Sequence, residues 1–343
     1  MPSVIEPTAA FVSGLPKAEL HVHLEGTLEP DLKLALATRN GVDIGQSTVE
    51  EVRASYAFDS LASFLAVYYP AMNVLVTEQD FYDLATEYFR RAAADGVRHV
   101  EAFFDPQAHT TRGVPFETVI TGLHRAAADA AGYGLSAELI LCFLRDASAE
   151  SAHETLLAAL PHRDLFVGVG LDSDERGNPP AKFAEVFQLA REAGLKLTMH
   201  CDIDQVGSIE NIRQVLGEVR VDRIDHGTNI LEDPALVALV RERRIGLTCC
   251  PVSNSFVTAD MKAVELVALM NFGVLVTVNS DDPAYFGAYV ADNYLALAEK
   301  AGLSTDELVL LAKNSFNASW LPEDEKAAYL ASIDDYVAGY PTA

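Results

Sequence analysis

Short runs rich in β-branched and apolar residues recur along the chain, and after most of them the apolar positions change to a helical spacing. Eight such runs can be counted: KAELHVH (17–23), HVEAFF (99–104), AELILCFLR (137–145), FVGVGLD (166–172), KLTMHCD (196–202), VDRIDHG (221–227), IGLTCCP (245–251) and VLVTVNSDD (274–282). Alternation of strand and helix patterns predicts a parallel sheet built from βα units, and eight units match a closed (β/α)8 barrel of the TIM type. PPAKFAEVFQLAREAG (179–194) shows the connecting pattern, with proline near the start and glycine past the end of an amphipathic stretch. Connections are short except over residues 30–98. That segment is too long for one helix and carries FDSLASFLAVYYPAMNVL (58–75). It predicts a helical insertion after strand one that caps the barrel mouth, with Phe58, Leu61 and Phe64 facing either the site or ordinary core. A single domain over 1–343 is expected.

Half of the residues are apolar, with no uninterrupted apolar stretch of about 18 residues. The N-terminus carries no basic stretch leading into an apolar run, so the expectation is a cytoplasmic protein. Fifty acidic residues against 25 basic give a formal charge of −25, which repels nucleic acid and anionic membranes and leaves a small molecule as the expected partner. An oligomer is compatible with the sequence. Cys142, Cys201, Cys249 and Cys250 lie in apolar runs without finger or disulfide-scaffold spacing, and are expected to be buried thiols.

A barrel of this kind does its chemistry at the carboxyl ends of its strands. Strand one ends in His21 and His23, strand five in His200, strand six in His226, and strand eight in Asp281 and Asp282. Residues i and i+2 of a strand share a face, so His21 and His23 can reach one ion. Imidazoles joined by a carboxylate, with a position left open, suit a catalytic divalent ion of the zinc type. The remaining histidines lie in helices, loops or strand starts, where surface or structural roles suit them. Glycine-rich stretches such as GLDSDERGNPP (170–180) match no phosphate-binding loop.

LPKAELHVHLEGTLEP (15–30), FFDPQAHT (103–110), GLDSDERGNPPAKF (170–183), RIDHGTN (223–229), CPVSN (250–254) and VTVNSDDPAYFGAYV (276–290) together resemble the adenosine and adenine deaminases of the amidohydrolase superfamily. Their wording is closer to the adenine-acting branch. The resemblance implies a distorted, amidohydrolase-like barrel in which His21, His23, His200 and Asp281 bind one Zn2+. It further implies that His226 orients the attacking water and takes or stabilises its proton, that Asp281 helps deprotonate it, and that Asp282 accepts from or donates to N7 of the purine. Water then attacks C6, and adenine gives hypoxanthine and ammonia. Ser173, Asp174 and Glu175 are candidates for the N3 and N9 edge, and an acid beside Glu25 suits an N–H of the free base better than a phosphate.

One position departs from the family pattern. The strand-five histidine should open an HAGE motif whose glutamate protonates ring N1, whereas this chain reads MHCDIDQ and has Ile203 at that place. General acid–base help is worth about two to four powers of ten in rate. Three readings stay open: Asp202 or Asp204 supplies the proton; the substrate is another 6-substituted purine or adenosine; or the chain is a catalytically impaired metal- and purine-binding protein.

Overall fold

Residues 6–201 and 205–341 are described by the computed structural model. Eight parallel strands run in sequential order: β1 (Lys17–Glu19), β2 (Val97–Phe104), β3 (Ser136–Leu144), β4 (Gly168–Asp172), β5 (Lys196–Cys201), β6 (Arg223–His226), β7 (Gly246–Cys249) and β8 (Leu275–Val278). Beyond β1 and β8 the chain closes the ring. The His23 amide donates to the Asp281 carbonyl at 3.0 Å, and the Asp281 amide to the His21 carbonyl at 3.1 Å. The fold is a TIM-type barrel. His21 and His23 therefore lie just past the regular part of β1, on the extension that zips the barrel shut.

Period-two alternation sorts the barrel residues. Along β2, Val100, Ala102 and Phe104 join the large core between sheet and helices, whereas Phe103 packs inside the barrel with Ile140 of β3 and Cys142. Low in the barrel interior, Glu101 of β2 reaches across to the Arg223 guanidinium of β6, and both are fully buried. The inward row of β2 thus runs His99, Glu101, Phe103 and, one step past the strand, Asp105. On the β1 side Lys17 and Glu19 turn to the outer layer, where Lys17 Nζ donates to the Val12 carbonyl at 2.9 Å and Tyr88 Oη to Glu19 Oε2 at 2.6 Å, and only His21 and His23 beyond them turn inward. Polar residues fill much of an interior that branched apolar side chains usually occupy.

The 30–98 segment is helical, as its pattern predicts, but only part of it caps the mouth. Helix Glu78–Ala94 is the ordinary β1-to-β2 crossover and packs beside helix Phe116–Asp129 on the outside of the barrel. The cap is the helix Leu61–Ala71, started by Ser60, whose hydroxyl accepts from the Ser63 amide at 3.3 Å. Among the described residues no helix is long and apolar enough to cross a membrane. All four cysteines are buried and unbridged.

Candidate active site

At the carboxyl ends of the strands, three imidazole Nε2 atoms converge. His200 Nε2 lies 3.1 Å from His21 Nε2 and 3.2 Å from His23 Nε2, and Asp281 Oδ1 lies 3.2 Å and 3.5 Å from the same two histidines. Each ring turns its other nitrogen to an acceptor: His21 Nδ1 to Thr248 Oγ1 at 2.9 Å, His200 Nδ1 to the Leu171 carbonyl at 3.0 Å, and His23 Nδ1 to Asp172 Oδ2 at 3.4 Å. Thr248 donates its own hydrogen to Asp225 Oδ1 at 2.8 Å, so toward His21 it can only accept. The hydrogen bonds to Thr248 and Leu171 keep a proton on Nδ1 of His21 and His200, Asp172 faces Nδ1 of His23 without bonding it, and all three Nε2 atoms are aimed at one point. Lone pairs facing one another at such distances repel unless a cation stands between them. Donors held on arms of about 2.0–2.1 Å at tetrahedral angles stand about 3.3–3.4 Å apart, so the set fits a zinc-type ion.

The electrostatics agree with that fit. Burial, reinforced by the neighbouring rings, pushes His200 well below the ordinary histidine range, and burial brings His23 down to about 4. Burial opposes ionisation of Asp281, but the charges of His21 and its companions outweigh it and hold the carboxyl well below the usual range. His200 and His23 are thus held neutral, whereas for His21 burial works against the charge but Asp281 outweighs it and raises the ring above the ordinary histidine range, so a cation bound here would displace the His21 proton. The second oxygen of Asp281 accepts from Ser253 Oγ at 2.5 Å.

The cluster opens onto a cavity of about 630 Å3, counting the space continuous with solvent. His226 lines it, with its ring centroid 4.6 Å from that of His21, its Nδ1 unpartnered among the described residues and its pKa brought by burial to about 4. Asp282 also lines it, and burial together with the charge of Asp281 raises its carboxyl well above the ordinary range. Gly26 explains itself here: a β-carbon at that position would lie 2.0 Å from Asp282 Oδ1 and 2.8 Å from its Cα. Leu61, Phe64, Leu65, Tyr68 and Tyr69, spaced along one face of the cap helix, form the roof with Phe286. Phe58 stands behind the roof, against Phe64 and Phe286.

Other sequence candidates are placed differently. Ser173 lines the cavity with its buried hydroxyl beside Tyr69 of the roof. Asp174 instead turns outward to Arg176, and Glu175 is buried against Arg145 at 3.4 Å and Asn211. Neither reaches the cavity wall. Glu25 stands a layer behind it, with Oε1 accepting from His109 Nε2 at 2.8 Å and from the Asp105 amide at 3.1 Å. Asp202 and Asp204 lie outside the described residues, as does Ile203.

Sequence reasoning passed over Asp105 and Asp172, which end strands two and four and line the cavity. Burial and their mutual charge push Asp105 well above the carboxylate range, and burial raises Asp172 to about 7. The strand-end rule would have found both had it been applied to FFD and GLD as it was to the histidines. Three rim residues hold left-handed backbone: Ser173 (φ 71°), His226 (φ 57°) and Asp281 (φ 66°). Such positions cost on the order of 1–3 kcal/mol each and collect where geometry serves chemistry.

A family model described as adenosine deaminase matches residues 16–336. An adenine deaminase of Sphingopyxis alaskensis is 53% identical over 334 residues, covering 96% of this chain and 97% of the relative. The crystal structure of an adenine deaminase from Arthrobacter aurescens superposes with a TM-score of 0.91 at 44% identity, covering 95% of this chain and all (100%) of the other. An amidohydrolase from Burkholderia ambifaria, solved with bound zinc, superposes with a TM-score of 0.87 at 28% identity, covering 98% and 95%.

Proposed function

Because the chain belongs to the adenosine deaminase family and is a hydrolase that deaminates at C–N bonds, we propose that it converts adenine and water to hypoxanthine and ammonia with one Zn2+ held by His21, His23, His200 and Asp281. One observation carries the choice of a purine without phosphate: among the described residues the cavity wall holds Asp105, Asp172, Asp281 and Asp282 but no lysine or arginine. Phosphate would meet carboxylates with no countercharge, whereas a neutral base rich in N–H donors would be welcomed.

When bound, the ion supplies Lewis acidity that lowers the pKa of water toward neutrality. His226, neutral and with a free nitrogen, orients the water and takes its proton as oxygen attacks C6, and Asp281 assists. Asp282, carrying a proton of its own because of its raised pKa, donates to N7 and draws electron density from C6. The roof aromatics cover the ring and exclude bulk water. Delivery of a proton to N1 falls to Asp204 or Asp202, standing in for the family's glutamate.

Zinc-loaded protein incubated with adenine, adenosine and N6-methyladenine, with ammonia release followed for each, tests this reading. Adenine should be turned over fastest. Faster turnover of adenosine would overturn it. Asp204→Asn and Asp202→Asn, assayed alongside, should include one variant slowed at least tenfold.

A further inference from the structure

Asp105 is fixed from behind and left unmatched in front. It continues the inward row of β2, and its amide is tied to Glu25 Oε1 at 3.1 Å. Glu25 is pinned in turn by His109 Nε2 at 2.8 Å, and His109 Nδ1 lies 2.8 Å from Arg112 Nη2. This chain of contacts directs the Asp105 side chain at the cavity. Yet Asp105 is only 1% exposed; its carboxyl group meets that of Asp172 in a hydrogen bond, and its Oδ1 has no donor among the described residues. Burying an acceptor without a donor costs about 1–3 kcal/mol, so an acceptor kept this way is set for a ligand.

Its place along the cavity says which part of the ligand arrives. His23 presents Nε2 to the metal cluster and Nδ1 to Asp172, and a carboxyl oxygen of Asp105, one of Asp172 and a ring nitrogen of His23 all lie within 4.8 Å of one another. Asp105 therefore stands on the side of His23 turned away from the reacting centre. A purine with C6 at the cluster extends its opposite edge, N3 and N9, in that direction. Of those two atoms only N9 of an unsubstituted base carries a hydrogen.

We propose that Asp105 is the specificity-determining residue for the free base: it accepts a hydrogen bond from the purine N9–H, and a substituent at N9 removes that donor and meets the carboxyl group instead. The inference rests on the purine reading above and adds the residue that separates base from nucleoside. Ser173, just past the end of β4, also lines the cavity, beside Asp172 in the chain. An acceptor facing a missing donor is a strong discriminator, because rejection leaves a buried polar group unpaired.

The test compares adenine with 9-methyladenine, which differ at the atom in question. Binding of each to zinc-loaded wild type, Asp105→Ala and Asp105→Asn is measured by calorimetry, with ammonia release recorded separately. Wild type should bind adenine at least about 100-fold more tightly than 9-methyladenine. Asp105→Ala should bring the two within tenfold, by weakening adenine and making room for the methyl group. Asp105→Asn, which keeps an oxygen and nearly the same shape, should fall between. A binding ratio unchanged within threefold in both variants overturns the proposal, as does a wild type that binds the two bases equally. Tight adenine binding without ammonia release would defeat the deaminase reading while leaving the ratio to judge Asp105.

Discussion

Replacing Ser253 with alanine takes one hydrogen from the outer side of Asp281, the aspartate proposed to hold the ion, and leaves the four inward donors untouched. Ser253 Oγ donates to Asp281 Oδ2 at 2.5 Å, while Oδ1 of the same carboxylate faces His21 and His23. A hydrogen bond to a charged group contributes about 1.5–3 kcal/mol, and 1.4 kcal/mol is a tenfold change in an equilibrium constant, so its loss should weaken the ion by about 10- to 100-fold. The general effect of removing a partner that orients a metal ligand, about 10- to 100-fold in affinity or activity, gives the same range independently. Zinc affinity is read by competition with a chromophoric chelator. The melting temperature of the metal-free protein, recorded in parallel, separates a local effect from a folding defect. The expected result is a Kd raised by one to two powers of ten with an almost unchanged metal-free melt, and partial recovery in Ser253→Thr, which restores the hydroxyl. An affinity within threefold of wild type would refute the reasoning, since the carboxylate would then be oriented by its backbone alone.

Two further outcomes follow from geometry already described. Gly26→Ala should displace Asp282, because the new methyl would overlap its carboxyl group; a loss of at least tenfold in kcat/KM with full zinc content checks this, and unchanged kinetics would contradict it. Low in the barrel, burial works against the Glu101 charge, but Arg223 and His99 outweigh it and hold the carboxyl down to about 2, from an ordinary value of 4.5. A depressed acid stabilises the fold above its unfolded pKa, and that stability is lost as pH falls from about 4.5 through about 2. The shift amounts to about 3 kcal/mol. Glu101→Gln should therefore melt earlier at pH 7 and show a flatter loss of stability over that acid window; an equally steep acid limb would argue against the pairing.

Much of the architecture was legible because its causes are local. Eight apolar runs had to be strands, and His21 and His23 had to share a face, since both follow from a two-residue repeat. What was not legible depends on contacts between distant segments. The pattern of 78–94 is that of any amphipathic helix, and only its packing on 116–129 makes it a crossover rather than cap. Glu25 follows the two histidines closely in sequence, but the tight turn at Glu25–Thr27 carries it back toward His109. The left-handed turn at Ser173 redirects the next residues, sending Asp174 to solvent and Glu175 to Arg145. No single-residue property announces such a turn when the residue is not glycine.

The left-handed residues at the rim set a bound on how this protein can change. Glycine or asparagine would relax the backbone at 226 and 281, and selection for heat resistance would ordinarily find such substitutions first. Here each would erase a ring or a carboxylate that lines the cavity. Lineages pressed toward higher temperature must therefore improve the outer helices and loops, while the mouth of the barrel stays tense in every active descendant.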